Sequence, residues 1–188
     1  MSVLRVSGGC IRGRLLIGPK GLTFRPTTAR VREFIFYQLG LRIVNAKILD
    51  LFAGTGILGI EALSRGASTV TFVDRSRNSL EILRKNLIRS TFSLKATILP
   101  EDVFSALQRL GAQDKKFDFI FADPPFAEKY RTAIVQTVWD THVLHPQGIL
   151  IVEHDIRDPD LSQTKFNLTK EKRFGDCVVS FYEYGSDI

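Results

Sequence analysis

Cysteine is nearly absent, with Cys10 and Cys177 the two present. They stand far apart and in no metal-ligand spacing, which excludes a disulfide framework and gives no sign of a zinc site. The three histidines, His142, His145 and His154, likewise show no ligand partners at metal spacing. No metal is therefore expected, and the histidines are read as surface or packing residues. Neither cysteine follows a proline, so the covalent route to a pyrimidine C5 has no nucleophile. No apolar run approaches the roughly 18 residues that span a bilayer, and the first residues lack the apolar core of a secretory signal. A cytoplasmic protein with no membrane partner is expected. At 188 residues, with 44% hydrophobic and 24% charged side chains, there is material for one folded domain with a short appendage. A second, substrate-binding domain does not fit.

Acidic residues are scarce at one end. Residues 1–46 hold Arg5, Arg12, Arg14, Lys20, Arg25, Arg30, Arg32 and Arg42 against Glu33 alone, whereas the rest of the chain, with 18 basic and 19 acidic residues, is near neutral. The net charge of +6 is thus carried by a basic arm on a neutral body, the distribution of a polyanion-binding extension. Arginine dominates, which favours bidentate phosphate contact. Arg5, Arg12, Arg14 and Arg25 are the expected phosphate-binding set, against the plainer reading of a solvated basic face.

The arm reads as two short strands, near Ser2–Ser7 and Arg14–Ile17, joined through Gly8, Gly9 and Gly13, then broken by Pro19, Gly21 and Pro26. Thr27 or Thr28 can cap a helix in which Val31, Phe34, Ile35 and Leu39 recur at helical spacing, and Gly40 would end it. From Lys47 the pattern changes. Apolar runs at Ile48–Phe52, Thr69–Asp74, Leu94–Leu99, Phe117–Ala122 and Gly148–Glu153 alternate with helical stretches at Gly56–Arg65, Ser76–Ser90, Val103–Leu110 and Ala127–Val143. This predicts an α/β fold: a mostly parallel sheet with helices on both faces. Segments near Phe166–Lys172 and Val178–Tyr184 predict a closing antiparallel hairpin. Trp139, among Ile134, Val135, Val138 and Val143, reads as core. The expected division is an arm, residues 1–46, and a body, residues 47–188.

In such a sheet ligands gather beyond the carboxyl ends of the strands. Asp50-Leu51-Phe52-Ala53-Gly54-Thr55-Gly56-Ile57-Leu58-Gly59 satisfies G-x-G-x-x-G after a strand, and Asp74 ends the next strand 24 residues after Asp50. The glycines allow a tight turn and close backbone approach, and the Asp74 carboxylate can accept from both ribose hydroxyls of an adenosine. NAD and S-adenosylmethionine share that adenosine. A pyrophosphate over the loop would be repelled by Asp50, whereas the ammonium and sulfonium of S-adenosylmethionine would be attracted, directly or through water. S-adenosylmethionine is therefore the expected cofactor, with Asp50, Gly54, Gly56 and Asp74 holding it; the plainer reading of Asp50 is a cap for its own turn. Asp102, with the Val103 amide, is placed to meet an adenine edge, and serves equally as the N-cap of the helix it precedes.

The fourth strand ends in Asp123-Pro124-Pro125-Phe126. Two prolines fix the backbone and remove two donors, leaving carbonyls free. A ring-conjugated amine is a weak nucleophile. Held by the Asp123 carboxylate and the Pro124 carbonyl, with Phe126 stacked on the base, it would be aimed at a sulfonium methyl. An acceptor-only carboxylate suits the two adjacent donors of guanine, N1–H and N2–H, and an adenine amine less specifically.

These residues, together with Gly13-Arg14-Leu15, Pro19-Lys20-Gly21-Leu22, Arg25-Pro26-Thr27-Thr28-Ala29-Arg30-Val31-Arg32-Glu33 and Gly59-Ile60-Glu61-Ala62-Leu63-Ser64-Arg65-Gly66-Ala67, resemble the RsmD family over nearly the whole chain. The resemblance implies a Rossmann-like class I methyltransferase sheet and transfer of a methyl group from S-adenosylmethionine to guanine N2 in bacterial small-subunit (16S) ribosomal RNA. It implies ribosomal RNA as partner, within the small subunit or an assembly intermediate; a monomer is expected. It also implies a role for Thr28 and Arg30 near the methionine end of the cofactor. Ala29 stands where the family commonly has Asp, and Phe126 where it commonly has Tyr. Two other functions compete: an amino-methyltransferase acting on adenine N6 or protein glutamine, which has no target-recognition domain here, and a noncatalytic RNA-binding assembly factor, which would have no use for Asp50, Asp74 and Asp123 in a pocket facing a polyanion.

Overall fold

The computed structural model describes residues 3–18, 28–125, 130–158, 161 and 164–185. Pro19, Lys20, Gly21, Arg25, Pro26, Thr27 and Phe126, and the expected helix start at Ala127, lie outside them. The arm opens with β1 (Val3–Arg5) paired antiparallel to β2 (Leu15–Ile17), Leu4 facing Leu16. Helix α1 (Ala29–Leu39) follows. Thr28 is its N-cap, with Oγ1 accepting the Val31 N–H at 3.3 Å, and Gly40 stops it at φ +53°, where a Cβ would be strained.

The body then alternates β3 (Lys47–Leu51), α2 (Ile57–Ser64), β4 (Thr69–Val73), α3 (Arg77–Ser90), β5 (Ala96–Leu99), α4 (Val103–Ala112), β6 (Phe117–Ala122), α5 (Tyr130–Thr141) and β7 (Leu144–Asp155). The chain closes with β8 (Phe166–Phe174) and β9 (Cys177–Tyr184). Seven strands form one sheet in the order β5-β4-β3-β6-β7-β9-β8; β5 through β7 pair in parallel, and β9 runs antiparallel between β7 and β8. The parallel sheet and the closing hairpin agree with the sequence pattern. The last parallel strand starts at Leu144, four residues before the expected Gly148. His145, Pro146 and Gln147 hide that start in the sequence, and a register shift between Phe117 and Phe119 absorbs them against β6.

Alternation along each strand sends side chains to two apolar layers. Ile48, Val70, Phe72, Phe119, Phe121, Ile151 and Phe181 pack under α1, α2 and α3, and the same layer takes in Leu4, Val6 and Leu16 of the arm. Leu49, Leu51, Val73, Ile120, Leu150 and Tyr182 pack under α4 and α5. Trp139 lies at the margin of the second layer, its ring edge-on to Phe166 at 5.1 Å.

One charged group fastens the arm to the body. Glu61, on the buried face of α2, is fully shielded from solvent. It accepts from the Ser7 N–H (3.2 Å) and Oγ, from Arg32 Nε of α1 (3.3 Å), and from Arg65 Nη2 (2.8 Å). Arg32, itself buried, also donates to the Arg5 carbonyl at 2.9 Å. Removing one member of a buried charge cluster typically costs about 3–5 kcal/mol. Glu61→Ala is expected to lower the free energy of urea unfolding by that amount, whereas an isolated surface pair would cost under about 1 kcal/mol. A loss within the surface range would show that apolar packing alone seats the arm.

Candidate active site

Register across the sheet builds the site. Leu51 of β3 pairs with both Val73 of β4 and Ala122 of β6, and Val73 pairs with Leu99 of β5. Four strands therefore end level, and the segments that follow them, from Phe52, Asp74, Pro100 and Asp123, emerge along one rim.

The turn after β3 is tightly defined. The Gly56 N–H donates to the Ala53 carbonyl at 2.7 Å, and the Ala53 N–H donates to the Val73 carbonyl at 3.0 Å. Phe52 adopts φ +57°, a left-handed conformation costly for a bulky residue and characteristic of loops shaped for a ligand. Gly54 (φ +56°) would carry a Cβ into near-open space, its nearest neighbour the Phe52 carbonyl at 3.8 Å, so this side of the turn is accessible to a ligand. At Gly56 the constraint is internal: a Cβ would lie 2.2 Å from Leu83 Cδ1 on α3.

The sequence-derived acids all reach this rim, in different states. Asp50 is buried, and its Oδ2 accepts the Gly59 N–H of α2 at 3.0 Å, the capping bond of the plainer reading. Burial pushes its carboxyl up to about 8; the Gly59 hydrogen bond lowers it and the nearby Asp74 charge raises it. Asp74 is half-buried and uses both oxygens on backbone, Oδ2 accepting the Gly54 N–H and Oδ1 the Ser76 N–H, each at 2.7 Å. It is thus a strut of the turn as well as a ligand candidate. Asp102 is the N-cap of α4, with Oδ1 accepting from Phe104 (3.0 Å) and Ser105 (3.3 Å), while Oδ2 lies 3.9 Å from Arg75 Nη1. The Val103 side chain is buried in the layer under α4. Asp123 is half-buried and Pro124 buried at the end of β6; Phe126 lies outside the described residues.

The described part of the basic arm is seated on α2 and α3. The Cys10 N–H donates to the carbonyl of Ser64, the last residue of α2, and Arg14 Nη1 donates to the carbonyl of Arg89 in the last turn of α3. Arg5 Nη1 donates to the Gly13 carbonyl at 3.1 Å, and Arg12 is exposed beside it. Cys10 therefore meets the end of α2 that lies away from the glycine turn, while β2 runs alongside α3 back toward that turn, where Ile17 reaches Asn86. Arg14 and Arg5 satisfy carbonyls of the fold itself, a role that charge counting does not reveal. Arg30 stands 6.0 Å from the Phe174 ring at the end of β8, three strands beyond β6. Arg25 lies outside the described residues. His154, expected at the surface or in packing, is buried with Nε2 2.9 Å from Ser180 Oγ, and burial pushes its pKa down.

Sequence reasoning missed the aromatic wall of the rim. Tyr130 meets Phe52 edge-on at 5.5 Å and stacks on Phe104 at 6.2 Å with the planes 8° apart. It also missed Asn86, a buried amide beneath the glycine turn. The one signal for it is a polar residue on the apolar stripe of α3.

An apolar-lined rim, an open glycine turn and acids able to face an adenosine and an ammonium suit S-adenosylmethionine. The seven-stranded order with its antiparallel β9 completes a class I S-adenosylmethionine-dependent methyltransferase. The chain belongs to the RsmD family: the family model described as Conserved hypothetical protein 95 matches residues 4–183. It is 34% identical over 182 residues to Ribosomal RNA small subunit methyltransferase D of Escherichia coli K12, covering 96% of this chain and 89% of that one. The protein of the same name from Haemophilus influenzae is also 34% identical, over 96% of this chain and 93% of its own. Among solved structures, yhhF from Escherichia coli superposes with a TM-score of 0.86 at 33% identity, covering 99% of this chain and 100% of that chain.

The state of Asp50 has a measurable consequence. Its folded pKa, about 8, lies above the unfolded value of 3.8, so the folded protein binds the extra proton and stability falls as pH rises from about 4 to about 8, then levels off. Asp50→Asn is expected to abolish that component, so that urea midpoints measured near pH 5 and near pH 8.5 differ less in the variant than in the wild type. Parallel pH profiles would mean that Asp50 is ionised in the folded protein.

Proposed function

We propose that this chain transfers a methyl group from S-adenosylmethionine to the exocyclic N2 of a guanine in small-subunit ribosomal RNA, acting as a monomer. Membership in the RsmD family supports the reaction class, and its relatives carry ribosomal RNA small subunit methyltransferase in their names. The observation that carries the assignment is Asp123-Pro124-Pro125 leaving β6 level with the glycine turn of β3.

When bound, S-adenosylmethionine supplies an activated methyl on a sulfonium with a neutral leaving group. The work left to the chain is positioning. Gly54 and Gly56 shape the turn on which the methionine end rests, with Thr28 and Arg30 contributing from the start of α1. Asp50, neutral while buried and empty-handed, takes up charge when an ammonium approaches. Asp74 accepts the ribose hydroxyls, while Asp102 and the Val103 N–H meet the adenine edge. Asp123 and the Pro124 carbonyl accept the donors of the guanine amine, Phe126 stacks on its ring, and the proton released from nitrogen passes to solvent by way of Asp123. Arg5, Arg12, Arg14 and Arg25 contact phosphates of a substrate large enough to reach past the rim.

Incubation with labelled S-adenosylmethionine and either bare 16S RNA or small subunits, followed by nucleoside mapping, tests the reading. Label on guanine N2 supports it, and label on adenine N6 or on protein overturns it. Two variants divide the labour. Asp74→Ala is expected to weaken cofactor binding at least about tenfold by calorimetry, since it removes ligand contacts and the bond to Gly54 together. Asp123→Ala is expected to keep cofactor affinity and lose at least about a hundredfold in turnover. Equal loss of cofactor affinity in both variants would place Asp123 with the cofactor and not the acceptor.

A further inference from the structure

Asn86 is a carboxamide sealed inside the protein, at 0% exposure, on the face of α3 that looks toward the glycine turn. Its Nδ2 donates to the Thr55 carbonyl in that turn at 2.9 Å and to the Ile17 carbonyl of β2 at 3.0 Å. Its Oδ1 accepts the Ile17 N–H at 2.8 Å. One side chain therefore satisfies three backbone groups, and the amide can face only one way to do so, with nitrogen toward two carbonyls and oxygen toward one N–H. The arm end is held as a neighbouring strand would hold it, through both the N–H and the C=O of one residue.

The Ala53–Gly56 turn is thereby pinned at two points: the Gly54 N–H by Asp74 and the Thr55 carbonyl by Asn86. A third contact supports them, because Leu83, one turn before Asn86 on α3, occupies the space beside Gly56. Any tilt of the Thr55–Gly56 peptide moves the Thr55 carbonyl against Nδ2, and Nδ2 is shared with Ile17. Such a displacement has no solvent route for relief, since a buried carboxamide that loses a partner pays desolvation without compensation.

We infer that Asn86 is a positioning residue that couples occupancy of the glycine turn to the seating of the N-terminal arm, so that cofactor and RNA bind cooperatively. The inference rests on the reading of this turn as the cofactor loop and of the arm as an RNA contact. Cofactor that presses on the turn orders the Thr55 carbonyl, tightens the shared amide and fixes β2. An arm already fixed by RNA returns the same free energy to cofactor binding, because coupling between two sites is reciprocal.

The test uses the full chain with S-adenosylhomocysteine as the cofactor probe and 16S RNA as the arm ligand. In the wild type, saturating S-adenosylhomocysteine is expected to slow hydrogen exchange of the Ile17 amide and to tighten RNA binding by at least about fivefold, the lower range of measured couplings. Asn86→Asp keeps an acceptor for the Ile17 N–H but turns an oxygen toward two carbonyls. RNA affinity in that variant is expected to be the same with and without the probe. The wild-type exchange measurement needs no variant, so a misfolded Asn86→Asp leaves the inference exposed to refutation. Unchanged Ile17 exchange and RNA affinity in a wild type that binds S-adenosylhomocysteine would overturn the coupling and leave the cofactor site standing. Failure to bind the probe at all would overturn both.

Discussion

Glu61 decides how Ser7 and α1 meet the sheet. A carboxylate with no access to water must find its donors within the protein, and here it draws them from Ser7 of the arm, Arg32 of α1 and Arg65 at the end of its own helix. The arrangement is directional in a way that apolar packing is not. Leu4, Val6 and Leu16 could slide over α2 and α3 at small cost, but the Glu61 cluster is satisfied in one placement only. That placement carries β2 alongside α3 and so brings Ile17 to Asn86, next to the glycine turn. The Arg65 guanidinium, 4.8 Å from the centre of the Phe36 ring, adds a contact that locks α1 to the same spot.

The glycine turn is a place where ordinary preferences are overruled. Phe52 is held left-handed, Asp50 is denied solvent, and two side chains from separate elements hold the turn by its backbone. Each feature costs free energy in isolation, and such costs collect where a binding surface must be rigid before its ligand arrives. The layer under α2 and α3 supplies the rigidity, with Phe72 and Leu83 pressed against Gly59 and Gly56.

Much of this was legible in the sequence, for identifiable reasons. Parallel strands covered on both faces must be apolar throughout, so β3, β4 and β6 announce themselves as runs, and the glycine turn and Asp-Pro-Pro sit where those runs stop. Local signals such as the Thr28 cap and the Gly40 stop were equally visible. What stayed hidden depends on partners distant in the chain. Ile17 and Asn86 are 69 residues apart, as are Ser7 and Glu61 by 54, and no periodicity records such pairings. Glu61 did leave a trace, a lone acid in the otherwise apolar Ile57–Ser64. The arm's basic charge is countable in the sequence; the carbonyls that two of its arginines serve are not. Composition cannot tell that Arg5 first serves the Gly13 carbonyl within the arm and Arg14 a carbonyl in the last turn of α3. His154 takes the packing role among the two the sequence allowed, but its partner Ser180 lies on a strand that pairs with its own in the opposite sense, which the sequence does not record.

The order of the last two strands carries a consequence for synthesis. Because β9 lies between β7 and β8, the outer edge of β7 has no hydrogen-bonding neighbour until residues 177–184 have left the ribosome. During that interval a twelve-residue strand with the apolar run 149–152 at its centre presents an open edge, and β8 has nothing to pair with. Its own face offers little apolar cover, with seven consecutive exposed positions from Asn167 to Arg173. The nascent chain thus keeps its charged strand in water and its sticky strand waiting for the same late segment, and closure of the sheet becomes a single event in which β9 slots between them.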